Sequence, residues 1–73
     1  MKFYVIAIAA AGNGRTSQED DTVIANSPME AVLQIAQHLA NGRTTLPTDS
    51  ADTIIVAAVD NSKAAELDRL FRN

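Results

Sequence analysis

Two arginines follow the same dipeptide in this chain. Asn13-Gly14-Arg15-Thr16 returns as Asn41-Gly42-Arg43-Thr44. A pair of guanidinium forks on adjacent loops is a recognised way to grip a carboxylate or a phosphate. Asn-Gly is also ordinary turn chemistry, and the flanking residues do not repeat, so the turn reading is the favoured one. Gly12-x-Gly14-Arg15-Thr16 lacks the earlier glycine, the lysine and the following helix of a phosphate-binding loop: Ala9 and Arg15 stand where the first two belong. Glu19-Asp20-Asp21 is an acidic run that could meet a cation or a basic partner, and that as an ordinary solvated segment would discourage strand pairing. The single histidine, His38, has no bracketing nucleophile and orienting group, so it reads as a surface residue. Ser17, Ser50 and Ser62 have no catalytic context, and Ser27 reads as a helix cap. With no cysteine, disulfides are excluded, and one histidine without a thiolate argues against a structural zinc site. No catalytic, cofactor-binding or metal-ligating residue is assigned, and the chain reads as a non-enzyme without a cofactor.

The elements that must hold these side chains fit a single compact domain over 1–73. Apolar residues make up 47% of the chain, drawn mostly from alanine, valine, isoleucine and leucine, as a folded core requires. A net charge of −3 with scattered basic residues argues against nucleic acid as the main ligand. No apolar run approaches the ~18 residues of a membrane span. Lys2 to Ala11 opens as a signal peptide opens, with one positive charge before apolar residues, but its β-formers Phe3, Tyr4, Val5, Ile6 and Ile8 favour a first strand. A cytoplasmic location is expected.

Phe3 to Ala9 is apolar on both faces, which predicts a central strand. Gly12 to Asp21 reads as a polar loop, and Thr22 to Ala25 as a short second strand closing a hairpin. Ser27-Pro28-Met29-Glu30 carries a capping box with proline at the first helical position. The helix that follows places Met29, Val32, Leu33, Ile35, Ala36, Leu39 and Ala40 on one arc, and Asn41-Gly42 closes it. Arg43 to Asp52 is a second polar loop, Thr53 to Val59 a third strand apolar on both faces, and Asp60-Asn61-Ser62 offers caps for a last helix. There Ala64, Leu67, Leu70 and Phe71 share one side, with Asp68 and Arg72 paired on the other.

The fold class is therefore α/β of the α+β type: β-β-α-β-α, with a three-stranded mixed sheet of order 2-1-3 packed with two helices. A right-handed crossover makes the third strand parallel to the second. The two long polar loops then share one pole with the end of the first helix. Both helices on one sheet face, or one on each, remain open from the sequence; the first would leave an apolar sheet face bare and ready for a partner.

Val23, Ala25, Ser27, Pro28, Glu30 and Ala31 carry a resemblance. Over Met1 to Leu39 the chain resembles the hairpin-plus-helix unit of HicB-type antitoxins, and its outline is similar to that of small phage inhibitors of the anti-CRISPR kind. The third strand and last helix depart from the antitoxin plan of an added DNA-binding segment, and no functional residue carries over. The resemblance implies a phage or mobile-element setting. The expectation is a non-enzymatic protein-binding module, an accessory or inhibitor acting by occupying a partner's surface. The alternative is a small nucleic-acid-associated regulator or antitoxin-like protein using Arg15, Arg43, Arg69 and Arg72. A protein partner and a homodimer are expected, and no membrane. The partner-facing residues are placed at the loop pole, Arg15, Glu19, Asp20, Asp21, Arg43 and Asp49, or on the sheet face at Tyr4 and Ile6.

Overall fold

A computed structural model describes residues 1–71, without the side chains of Leu67, Asp68, Leu70 and Phe71. β1 (Lys2–Ala10) lies between β2 (Thr16–Ile24) and β3 (Thr53–Asp60), so the sheet order is β2-β1-β3 as the doubly apolar first strand predicts. Both ladders are antiparallel. β2 and β3 thus run parallel to each other without being neighbours. α1 (Pro28–Ala40) connects β2 to β3, and α2 (Ala64–Phe71) follows β3 after a short 3-10 turn, Asn61–Lys63. No helix among the described residues is long and apolar enough to cross a membrane.

The largest departure from the sequence reading is β2. Residues 16–21, expected in a long hairpin loop, are strand, and the hairpin turn shrinks to 11–15. Ala11 and Arg15 close it through an N–H···O bond of 2.8 Å, with Gly14 at φ +85°. An edge strand needs partners on one side only. Most of its polar side chains stay in water, with Ser17 and Glu19 half-buried, while its backbone satisfies β1, so pairing overrides weak strand propensity.

The core lies between the α1 face of the sheet and α1. Phe3, Val5, Ala7 and Ala9 of β1 meet Ala31 and Ile35 of α1, with Ala25 and Leu46 at the margins. Ser27 caps the helix, its Oγ accepting from the Glu30 N–H at 3.1 Å, and Gly42 ends it at φ +74°. The buried stripe is rotated from the expected arc. It runs through Ala31, Ile35 and Leu39, while Met29 and Leu33 remain 68% and 54% exposed and Ala40 is exposed too. The apolar arc of α1 is wider than a sheet can cover, and the small Ala31 lets the helix approach closely on one side of it.

On the opposite sheet face Ile6 is fully buried, with Tyr4, Ile8, Ala57 and Val59 half-buried around it. α2 contacts β3. That face is closed at its centre, and Ile55 and Ile24 at its rim are exposed, as are Gln18, Asp20 and Thr22 along β2. The expected apolar side of α2, and its Asp68–Arg72 pair, lie outside the described residues.

Candidate functional site

With the sheet faces closed at their centres, the exposed chemistry sits on the two sheet edges, the outer side of α1 and the loop pole. β2 forms the polar edge. Register with β1 sets Glu19 opposite Ala7, Asp20 opposite Ile6 and Asp21 opposite Val5. Alternation along the strand therefore sends Glu19 and Asp21 to the α1 face and Asp20 to the other. Each carboxylate has work in the fold. Glu19 Oε2 accepts from the Thr44 hydroxyl, and Thr44 Oγ1 accepts the Leu46 N–H at 3.0 Å. Asp20 accepts from Tyr4 Oη at 2.6 Å and from Gln18 Nε2 at 2.8 Å. Asp21 Oδ1 accepts the N–H of Thr22 at 2.8 Å. The acidic run thus lies on a strand and not in a loop, with Asp20 on the face opposite to Glu19 and Asp21.

Glu19 and Asp21 also line a narrow cleft with His38, Arg43 and Thr44, roofed by the last turn of α1. Arg15 belongs elsewhere. It lines an open cleft of about 480 Å³ at the hairpin turn, with Asn13, Ser17 and Ser50. The two Asn-Gly-Arg-Thr segments therefore do not converge on one ligand: their arginines line different clefts. Asp49 stands exposed in the 3-10 turn Thr48–Ser50.

The loop pole itself is tied down. Leu46, inside the segment 43–52 that reads as polar, is buried in the core. Asp52 donates its N–H to the Ala10 carbonyl at 2.9 Å, and Gly12 sits so near the Asp52 carboxylate that a Cβ there would lie 2.5 Å from it. Of the two sheet-face candidates, Tyr4 is half-buried and held by Asp20, and Ile6 has no exposed surface at all. Ile6 is a core residue and not a partner contact: residues on the far side of the sheet close over the middle of β1.

Comparison with protein-family models, curated proteins and solved structures finds no match.

Among the described residues no group of three or more His, Cys, Asp or Glu side chains stands close enough to hold a metal ion. β3, the second edge, is the chemical opposite of β2. From Thr53 to Val59 it carries no charge, and Thr53, Ile54 and Ile55 are exposed. Sequence reading placed no candidate there, nor on Met29 and Leu33, because it assigned these side chains to the core. The available signal was the width of the apolar arc of α1, which exceeds what one sheet face buries.

Proposed function

We propose that this chain is a protein-binding module that acts by occupying a partner's surface, and that β2 is the partner-facing edge. One observation carries the reading: Glu19, Asp20 and Asp21 follow one another on an edge strand, Glu19 and Asp21 on its α1 face and Asp20 on the other, with Glu19 bonded to Thr44 and Asp20 to Tyr4 and Gln18. Carboxylates held by such bonds lose little entropy when they meet a basic protein surface, and charge of one sign speeds encounter and sets register. The small inhibitor role expected from the phage-type resemblance fits such a surface. The arginines give the nucleic-acid alternative no comparable support. Arg15 is at the hairpin tip, Arg43 beyond α1 and Arg69 on α2, and no stripe joins them.

The test is capture from lysate of the cognate host by the immobilised chain, with identification of the partner and its affinity measured at two salt concentrations. Reversing Asp20 and Asp21 to lysine in a folded variant is expected to weaken that partner about tenfold or more at low salt, with a smaller effect at high salt. Reversing Arg15 and Arg43 is expected to leave it bound. Equal binding by the acidic-row variant would remove β2 from the interface. Salt-dependent binding to DNA or RNA would favour the regulator instead.

A further inference from the structure

We propose that two copies of this chain associate through the free edge of β3, antiparallel about a twofold axis normal to the sheet, with their α1 helices meeting across that axis. The two sheet edges differ in how they are protected. β2 carries an acidic row, a common guard against pairing with another chain. β3 has no guard: Thr53 to Val59 offers no charge, proline or bulge, and its outer side faces no described strand.

The outer side of α1 continues the same surface. Gln34 reaches the Ile24 carbonyl at the end of β2 through a 3.0 Å bond, which fixes the β2-facing side of the helix. At 100° per residue, Val32, Ala36 and Met29 fall opposite Gln34, on the β3 side, with Leu33 and Ala40 next to them. Met29 and Leu33 are well exposed there, and Ile54 is 42% exposed below. Ile54 shares a cleft with Leu39 and Ala40. The apolar surface is therefore continuous from the helix to the strand edge.

The occupant follows from three arguments. The first is spacing. α1 packs on β1 and β3, so its axis lies over the gap between them. A twofold half a strand spacing beyond β3 puts that axis about 5 Å from the dyad, and the two helices about 10 Å apart. That is the normal distance for packed helices, and Ala36 and Ala40 allow the approach. The second is area. The eight residues of β3 span about 26 Å, and one sheet-plus-helix layer stands about 20 Å high. The paired surfaces then bury on the order of 1,000 Å², the lower bound of a specific interface and suited to micromolar association. The third is charge. Chains of net charge −3 repel weakly, and contact through apolar surface adds least to that cost: Ile54 to Val59, Met29 and Leu33 carry no charge, and Asp49 and Asp60 lie at the two ends of the patch. Pairing β2 to β3 instead would be open-ended and would set acidic side chains against apolar ones.

Sedimentation equilibrium of the full chain tests the proposal. Wild type is expected to reach twice the chain mass at concentrations of order 10–100 μM. Leu33→Lys and Ile54→Lys are expected to weaken the dimer about tenfold or more each, since both bury an unpaired charge at the contact. Should either variant lose its circular-dichroism signature, cysteine crosslinking decides. The chain has no cysteine of its own, so Ala36→Cys, on the β3 side near mid-helix and so near the dyad, is expected to give a disulfide-linked dimer on oxidation, and His38→Cys, on the β2 side, is not. A wild-type monomer up to about 1 mM overturns the proposal, whether β3 then takes a peptide strand or nothing. So does a dimer indifferent to both lysines, or one crosslinked by His38→Cys. None of these results bears on the acidic β2 edge.

Discussion

Tyr4 Oη donates to Asp20 Oδ2 at 2.6 Å, tying β1 to β2 on the face away from α1. Tyr4 stands opposite Thr22 in the ladder and Asp20 opposite Ile6, so the bond is a diagonal one. Such contacts lock register, and a one-residue slip of β2 would carry every acidic side chain to the wrong face. Tyr4→Phe keeps the ring and removes the bond. It is expected to cost about 0.5–1.5 kcal/mol in urea unfolding, toward the lower end because the bond is exposed. Tyr4→Ala is expected to cost more, by stripping half-buried ring area from the sheet. A Tyr4→Phe variant as stable as wild type would show that the backbone ladder alone sets the register.

The phase of α1 makes a second test. Ile35 is in the core and Leu33 is more than half exposed. Ile35→Ala is expected to cost about 2–4 kcal/mol, a large share of the stability of so small a domain. Leu33→Asp is expected to leave the unfolding midpoint of the monomer within about 0.5 kcal/mol of wild type. Val32→Asp falls between the two, because Val32 is only half-buried. The reverse ranking of Ile35 and Leu33 would restore the arc that periodicity alone suggests.

Strand order, helix ends and both turn glycines were legible in the residues because each rests on a local rule. β1 is apolar on both faces, Ser27-Pro28 starts a helix, and Gly14 and Gly42 take positive φ. The true length of β2 was hidden because the nine-residue β1 imposes strand on a polar sequence, a tertiary effect that propensity does not contain. The rotation of α1 was hidden for a related reason. Seven apolar positions span an arc wider than the contact, and Ala31, too small to weigh in the pattern, decides which part faces the sheet. Of the site, the acidic run was visible as composition, and its bonds were not: Tyr4, Gln18 and Thr44 meet it only in the fold.

Asp60 gives a pH prediction. Its Oδ1 accepts the Ser62 N–H at 2.9 Å and the Ser62 hydroxyl at 2.8 Å, capping the turn that leads into α2. The backbone bond from Ser62 is the main cause, with the hydroxyl second, of a carboxyl held below its ordinary value. A lowered native pKa means that the unfolded chain binds the proton more readily. The contribution is therefore complete above the unfolded value and is lost as pH falls through the folded one. Asp60→Asn is expected to flatten the acid limb of the stability curve, and Ser62→Ala to act in the same direction. An acid limb unchanged in both variants would show that the cap adds nothing to folding.

The last prediction concerns the segment 43–52. Its composition is that of a mobile linker, and three anchors contradict this. Leu46 is buried, the Thr44 hydroxyl donates to Glu19, and Asp52 continues the pairing of β1 through Ala10. Leu46→Ala removes a core side chain and is expected to cost about 2–4 kcal/mol, as much as a loss from α1 itself. Thr44→Val removes the acceptor of the Leu46 N–H together with the partner of Glu19, and is expected to cost about 1–2 kcal/mol. Amide exchange separates an anchored segment from a loose one directly. The Leu46 N–H is bonded to Thr44 Oγ1 and Asp52 N–H to Ala10 O, so both are expected to exchange more slowly than those of the exposed Asn13 and Thr45 in wild type. In Thr44→Val, protection at Leu46 is expected to fall while that at Asp52 persists. If all four amides exchange at the rate of an open chain in wild type, the segment is a linker after all, and the row of Glu19, Asp20 and Asp21 loses one of the contacts that hold it in place.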